Sequence, residues 1–222
     1  MTVAAAFYEG LAGRYHPIFG YWEGAVRRQE EVSERLILAE AGEGPISVLD
    51  CPTGIGTQAI ERARQEAARL GAAMTFGVAD FRFLDEEVEG EFDAVLSCDN
   101  SARSMRSKLR PDGLFLARIS DYDLVLSERP SATMPSVSET PEGRWIYFQT
   151  WDWVDERTYT LHLFLVGEHD GRWETHHHET RCRAVLRAEL AGILREAGLR
   201  NVAWQMPETS GYHQPVVTAR RG

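Results

Sequence analysis

The stretch DCPTGIGTQ (50–58) decides how this chain is read. It follows ISVLD (46–50), a short apolar run ending in an acid, which predicts a buried parallel strand. It opens QAIERARQEAARL (58–70), whose composition predicts a helix ended by Gly71 in the manner of a C-cap. Glycines in a strand-to-helix turn let backbone approach a ligand, and the N–H groups that start the helix favour polar or anionic atoms. Pro52 and Thr53 stand inside this loop, and a proline there removes one backbone donor.

Working outward, WEGAVRRQEEVSERLILAEA (22–41) reads as a helix with Val26, Val32, Leu36 and Ile37 at helical spacing, stopped by the glycines and proline of GEGP (42–45). MTFGVAD (74–80) and FDAVLSCD (92–99) read as the next strands. MRSKLRPDGLFLARISDYD (105–123) reads as a helix, a Pro-Asp-Gly turn and a strand from Leu114 to Ile119. The texture then changes. SERPSATMPSVSETPEG (127–143) is expected to be a loop or flap, followed by two β-rich runs, 144–153 and 157–168. HDG (169–171) turns the chain into RWETHHHETRCRAVL, and RAELAGILREAGL (187–199) forms a closing helix before a strand pair near NVAWQMP and QPVVTAR. Strands alternating with helices first, and antiparallel strands later, define an α/β domain with a β-rich extension.

The bulk numbers exclude several classes. A chain of 222 residues with 43% hydrophobic and 26% charged residues can bury a sizeable core. A net charge of −10 argues against nucleic acid, whose binding needs a basic face. No apolar run reaches membrane-spanning length and MTVAAAFYEGLAGRYH lacks the basic start of a secretory signal, so a cytoplasmic location is expected. The three cysteines, Cys51, Cys98 and Cys182, contain no CxxC pair, which points to reduced thiols rather than a disulfide framework or structural zinc.

The glycine turn has company in VADFR (78–82), FDAVLSCDN (92–100), KLRPDGLFLARISDYD (108–123), AGLRNVAWQMPETSGYHQPVVTAR (197–220) and the N-terminal FYEGLAGRYHPIF (7–19). In this order the blocks resemble the class I S-adenosylmethionine-dependent methyltransferases of small amines, the glycine/sarcosine N-methyltransferase type. The resemblance implies a Rossmann-like α/β sheet carrying an antiparallel β-rich extension. It implies that Asp50, Gly54 and Gly56 line the methionine end of the cofactor, that Asp80 and Phe81 flank its adenine, and that Asp99 and Asn100 lie under the reacting methyl. Tyr8, Tyr15 and His16 would stand on an N-terminal lid, and Arg118 and Tyr122 would meet the substrate, a guanidinium being suited to grip a carboxylate in a bidentate way.

This sequence departs from that pattern. In such folds a carboxylate about 20 residues beyond the glycines hydrogen-bonds the ribose. Here GIGTQA runs straight into IERARQEAARLG, as if the first helix were merged with the second and the intervening strand deleted; a second cut follows CDNSARS. Glu61 and Glu66 could replace the ribose acid, but their spacing suits solvent-facing charge on a helix. Hydrogen bonds to charged groups contribute about 1.5–3 kcal/mol each, so losing the acid would weaken cofactor binding by about two orders of magnitude. The fold expected is therefore a shortened sheet, with residues 1–126 forming a lid and truncated core and 127–222 the β-rich insertion and closing elements of the same domain.

Three functions follow. The first is a small-molecule biosynthetic enzyme that uses no cofactor and closes a ring or displaces an internal leaving group on an amine, with Asp99, Asp121 or His16 accepting the proton. The second is an N-methyltransferase of a small amine that keeps S-adenosylmethionine. The third is a non-catalytic subunit, since a lost strand exposes a sheet edge that a protein partner or a second copy would cover. His176, His177 and His178 look like metal ligands, but alternate strand residues face opposite sides, so a solvated face is expected and no metal. Trp145, Trp151 and Trp153 with Tyr147 and Phe148 could cage a cation, although cross-strand packing is the commoner use of such residues. Cys98 is expected to be a buried strand thiol rather than a nucleophile.

Overall fold

The computed structural model describes residues 22–41, 46–51, 75, 77, 79, 83–97, 102–140 and 143–222. These fall into two compact units. Residues 28–121 and 187–222 make an α/β unit, and residues 122–186 belong to a β unit inserted between them in sequence.

The α/β unit is built on a five-stranded sheet. Its strands are β1 (Val48–Cys51), β2 (Phe92–Ser97), β3 (Leu109–Arg118), β8 (Leu199–Gln205) and β9 (Val216–Arg221), in the order β1-β2-β3-β9-β8. β1, β2 and β3 run parallel, and β9 lies antiparallel to both β3 and β8. Central strands of such a sheet are buried on both faces. Ala94, Leu96, Leu114, Leu116 and Val216 point one way, against Val32, Leu36 and Ile37 of helix α1 (Trp22–Ala41). Val95, Phe115, Ala117 and Val217 alternate with them and are buried too. The helical spacing of α1 thus marks its packed stripe. Short helices α2 (Leu84–Glu87) and α3 (Ala102–Ser107) precede β2 and β3, and α6 (Pro207–Ser210) precedes β9.

Strand bounds shift from the expected ones for local reasons. The Pro-Asp-Gly turn is an excursion within β3: the partner of Phe92 is Leu109 and that of Ala94 is Leu114, so the intervening residues bulge out, with Asp112 at φ 61. The helix expected over 187–199 is α5 (Arg187–Glu196) and ends earlier, because Gly198 adopts φ 88 and begins the turn into β8. The helix expected at 58–70 lies outside the described residues. So does most of the strand expected at 74–80, of which Thr75, Gly77 and Ala79 carry no regular structure.

The β unit is a four-stranded antiparallel sheet in sequence order: β4 (Ser136–Thr140), β5 (Gly143–Trp153), β6 (Thr158–His169) and β7 (Arg172–Arg183). It is preceded by helix α4 (Tyr122–Glu128). The region expected as a loop over 127–143 therefore contains a strand, β4, which completes the sheet by pairing with the first half of β5. Composition misled here because a Ser/Thr-rich edge strand needs no apolar alternation when only one side is paired. HDG forms the expected turn, with Asp170 at φ 50 and Gly171 at φ 75, the left-handed pair that matches hairpin twist. No described helix is long and apolar enough to cross a membrane.

Candidate functional site

In a sheet of parallel strands, ligands bind beyond the carboxyl ends. Two sequence-predicted residues stand there. Asp50 is the penultimate residue of β1, paired with Leu96 of β2, and Arg118 is the last residue of β3. The two are electrostatically coupled: burial raises the Asp50 pKa above the ordinary carboxylate value, and the Arg118 guanidinium opposes that rise. The surface of Asp50 is nonetheless exposed. Asp50 is thus open to solvent on one side and crowded by protein on the others, and the crowding sets its ionisation. Next to it, the Cys51 thiol is pushed up to about 11 by burial first and the Asp50 charge second, so it is a packed thiol rather than a nucleophile at neutral pH.

Arg118 is positioned from β9's side. Its Cζ lies 5.4 Å from the centre of the Tyr212 ring, a cation–π distance. Tyr212 is buried, and its backbone N–H donates to Ser210 Oγ at 3.1 Å, while Arg35 of α1 donates to the Ser210 carbonyl. The loop then continues through Gln214, whose Nε2 donates to Ser120 Oγ at 3.5 Å, to Pro215, whose carbonyl accepts from the Ile119 N–H at 3.2 Å. The segment SGYHQP thus holds the carboxyl end of β3. Tyr212 was missed as a site residue in the sequence; only its place in the SGYHQP block hinted at it.

The remaining described candidates have their own partners. The Asp121 carboxylate accepts from Arg187 Nη1. In the β unit, the Tyr122 hydroxyl lies 3.3 Å from the Tyr159 hydroxyl, and burial drives the Tyr159 phenol well above its ordinary pKa. Tyr8, Tyr15, His16, Gly54, Gly56, Asp80, Phe81, Asp99 and Asn100 lie outside the described residues, as do Glu61, Glu66 and Cys98.

The aromatic cluster resolves into packing. Trp151 stacks on Tyr159 at 5.1 Å and Trp153 tilts against the same ring at 5.1 Å. The cation over Trp153 is the chain's own Arg129, 5.1 Å from the ring centre. Trp145 lies buried against Gly167 and faces His176 at 6.3 Å. The histidine run divides as alternation requires: His177 turns to the opposite face, where it meets His162.

The order of the parallel strands and the antiparallel sheet inserted between β3 and β8 in sequence give the chain the fold of class I S-adenosylmethionine-dependent methyltransferases. Comparison with solved structures agrees. A methyltransferase of this class from Clostridium acetobutylicum matches over 88% of this chain and 92% of its own, at 13% identity and TM-score 0.63. CalS10, an amino pentose methyltransferase from Micromonospora echinaspora solved with S-adenosylmethionine bound, matches over 90% and 96%, at 15% identity and TM-score 0.59. The sugar N-methyltransferase KedS8 from a Streptoalloteichus species matches over 87% and 87%, at 13% identity and TM-score 0.60. No protein-family profile matches the chain, and no curated protein matches it by sequence.

These matches correct the expectation that no cofactor is used. The inference from sequence was that the cofactor half of the site had been lost, leaving a substrate half. The match instead spans 96% of a chain whose structure holds S-adenosylmethionine, so at the level of the fold it covers the whole of a cofactor-binding chain. The ring-closure reading rested on that loss, and the matches lend it no support.

Proposed function

We propose that this chain transfers a methyl group from S-adenosylmethionine to the nitrogen of a small amine, with an amino sugar as the substrate class. The observation that carries the reading is the placement of Asp50 and Arg118 at the carboxyl ends of the parallel strands β1 and β3. The substrate class is supported by CalS10 and KedS8, which are described as acting on an amino pentose and a sugar nitrogen.

Asp50 suits the methionine end of the cofactor. A carboxylate that burial makes costly to ionise gains most from a nearby cation, and the methionine end of the cofactor carries an ammonium. Gly54 and Gly56 would let backbone approach that end, and Asp80 and Phe81 would flank the adenine. When bound, the cofactor supplies a methyl already activated on a positive sulfur. The work left to the chain is alignment, which can replace a large part of the barrier of a two-molecule reaction. Arg118, braced by the Tyr212 ring, would hold the acceptor's oxygen atoms through its fork of donors. Asp99 and Asn100 would orient the amine so that its lone pair faces that methyl. The proton released by the nitrogen would pass to a carboxylate such as Asp121.

Isothermal titration of the full chain with S-adenosylmethionine, followed by incubation with methyl-labelled cofactor and a panel of amino sugars, tests this. Saturable binding and label on an amine nitrogen are expected. Failure to bind the cofactor in both the absence and presence of every acceptor would overturn the proposal.

A further inference from the structure

The two-residue turn at Asp170–Gly171 fixes the register of β6 against β7, and that register sets His162 opposite Glu179 and Phe164 opposite His177. Across β5, Thr150 faces His162, and Asp152 stands one step further along on the same face. The result is a polar constellation on three adjacent strands. His162 Nδ1 is 2.9 Å from His177 Nε2 and 3.4 Å from a Glu179 carboxylate oxygen. His162 Nε2 is 3.1 Å from Asp152 Oδ2.

We propose that His162, His177 and Glu179 bind a divalent late first-row transition-metal cation, with Asp152 as the positioning residue for His162. The proposal is independent of methyl transfer. Three observations carry it. First, one ligand atom from each of the three residues can be chosen so that all lie within 4.8 Å of one another. Two imidazoles and a carboxylate form a donor set suited to zinc, nickel, cobalt or copper rather than to magnesium or calcium, which prefer oxygen throughout.

Second, Asp152 is placed to fix the tautomer. A carboxylate accepting from Nε2–H leaves Nδ1 with its lone pair, and Nδ1 is the atom that faces His177 and Glu179. A carboxylate behind a ligating histidine is the usual outer shell of such a metal. Third, the ring positions allow an ion after a small movement. The His162 and His177 centroids are 5.1 Å apart with planes 22° apart, so the two nitrogens face each other nearly edge to edge. Metal–nitrogen bonds of about 2.0–2.1 Å place adjacent donors about 2.9 Å apart at right angles and about 3.3 Å apart in a tetrahedron. The observed 2.9 Å is therefore already a donor separation, and turning the rings to aim at a common point converts a shared proton into a shared cation.

The platform resists that turn only modestly. His177 stacks on Phe164 at 4.8 Å and Phe164 on Phe148 at 5.0 Å, which fixes the base of the constellation, while the Asp152 and Glu179 carboxylates are exposed and adjustable.

The test is a zinc titration of the tag-free full-length chain after chelator treatment, read by calorimetry and by metal content, with cobalt absorption as a spectroscopic check. One ion per chain is expected, with cobalt bands of a nitrogen–oxygen site. His177→Ala, at an exposed position, should abolish stoichiometric binding while the far-ultraviolet circular dichroism stays unchanged. Asp152→Asn should weaken binding about 10- to 100-fold, as loss of an outer-shell partner does elsewhere. His176→Gln, on the other face, should bind as the parent does. Absence of stoichiometric binding by the parent chain overturns the proposal, as does retention of parental affinity by His177→Ala.

Discussion

Arg187 donates through Nη1 to the Asp121 carboxylate, joining the last residue before the chain leaves the α/β unit to the first residue after it returns. The two are 66 positions apart in sequence, and the β unit is spelled out between them. Both side chains are less than one-third exposed, so the pair is a charge-assisted hydrogen bond rather than a solvated surface contact. It acts as a clasp at the base of the insertion.

Arg187→Met keeps most of the side-chain stem and removes the donor. It should cost about 1.5–3 kcal/mol, the range for a hydrogen bond to a charged group. In a chain of this size each kcal/mol lowers Tm by roughly 2–4 °C. Asp121→Asn should cost a similar amount, and the double variant should cost clearly less than the two singles together. Strict additivity in that cycle would show that the clasp does not couple the two residues.

The second clasp joins Ser47, which leads into β1, to β2. Asp93 Oδ2 accepts from Ser47 N at 2.8 Å and from Ser47 Oγ at 2.6 Å, and Oδ1 accepts from Arg110 at 2.6 Å. The Ser47 hydrogen bonds, with Arg110 in support, lower its pKa to about 2. A carboxylate held below its unfolded value of about 3.9 stabilises the fold above that pH, and the gain disappears as pH falls towards the folded value. Asp93→Asn should therefore be less stable than the parent at pH 7, with the gap closing between about pH 4 and pH 2. Urea unfolding across that range checks it; a gap that does not change with pH would assign the effect to geometry alone.

Much of this fold was legible because its signals are local. The spacing of Val32, Leu36 and Ile37 marked the packed stripe of α1, and Asp170–Gly171 marked the β6–β7 turn. What stayed hidden depends on pairing across the chain. Ser136–Thr140 has the composition of a loop and becomes a strand only because β5 offers it an edge. The run at 176–178 drew the eye to three neighbouring histidines, yet the partner of His177 is His162, fifteen residues back. The turn fixes that register, so it could have been read from sequence once the hairpin was trusted. At the α/β site the strand ends placed Asp50 and Arg118, while Tyr212 escaped because a loop aromatic carries no periodic mark.

Gly167 on β6 shows how tightly the β unit is packed. A Cβ there would lie 2.8 Å from the Trp145 indole, which is buried beside it across the β5–β6 pair. The rigid six-membered edge has nowhere to move, so Gly167→Ala should cost about 1–3 kcal/mol as an overpacking change. In a Trp145→Leu background the same Gly167→Ala change should cost clearly less, because the indole no longer fills the space. Thermal denaturation of the two variants decides it, and an unaffected Gly167→Ala would mean that the indole has room to shift.

Asp50 sets stability against binding. Its pKa is raised by burial, against the pull of Arg118, so the folded state holds its proton more tightly than the unfolded state does. The sign follows from that: the folded state is favoured at low pH and loses stability as pH rises through the carboxylate range. Asp50→Asn removes the burial cost of the charge and should make the protein more stable than the parent at pH 7, with the advantage shrinking as pH falls towards the unfolded carboxylate value of about 4 and gone below it. The same change should weaken S-adenosylmethionine binding by roughly 10- to 100-fold, the worth of one hydrogen bond to a charged group. Melting curves and calorimetric titration on one preparation read both effects. Gains in stability without loss of affinity would remove Asp50 from the cofactor site, and a loss of both would show that its carboxylate is structural.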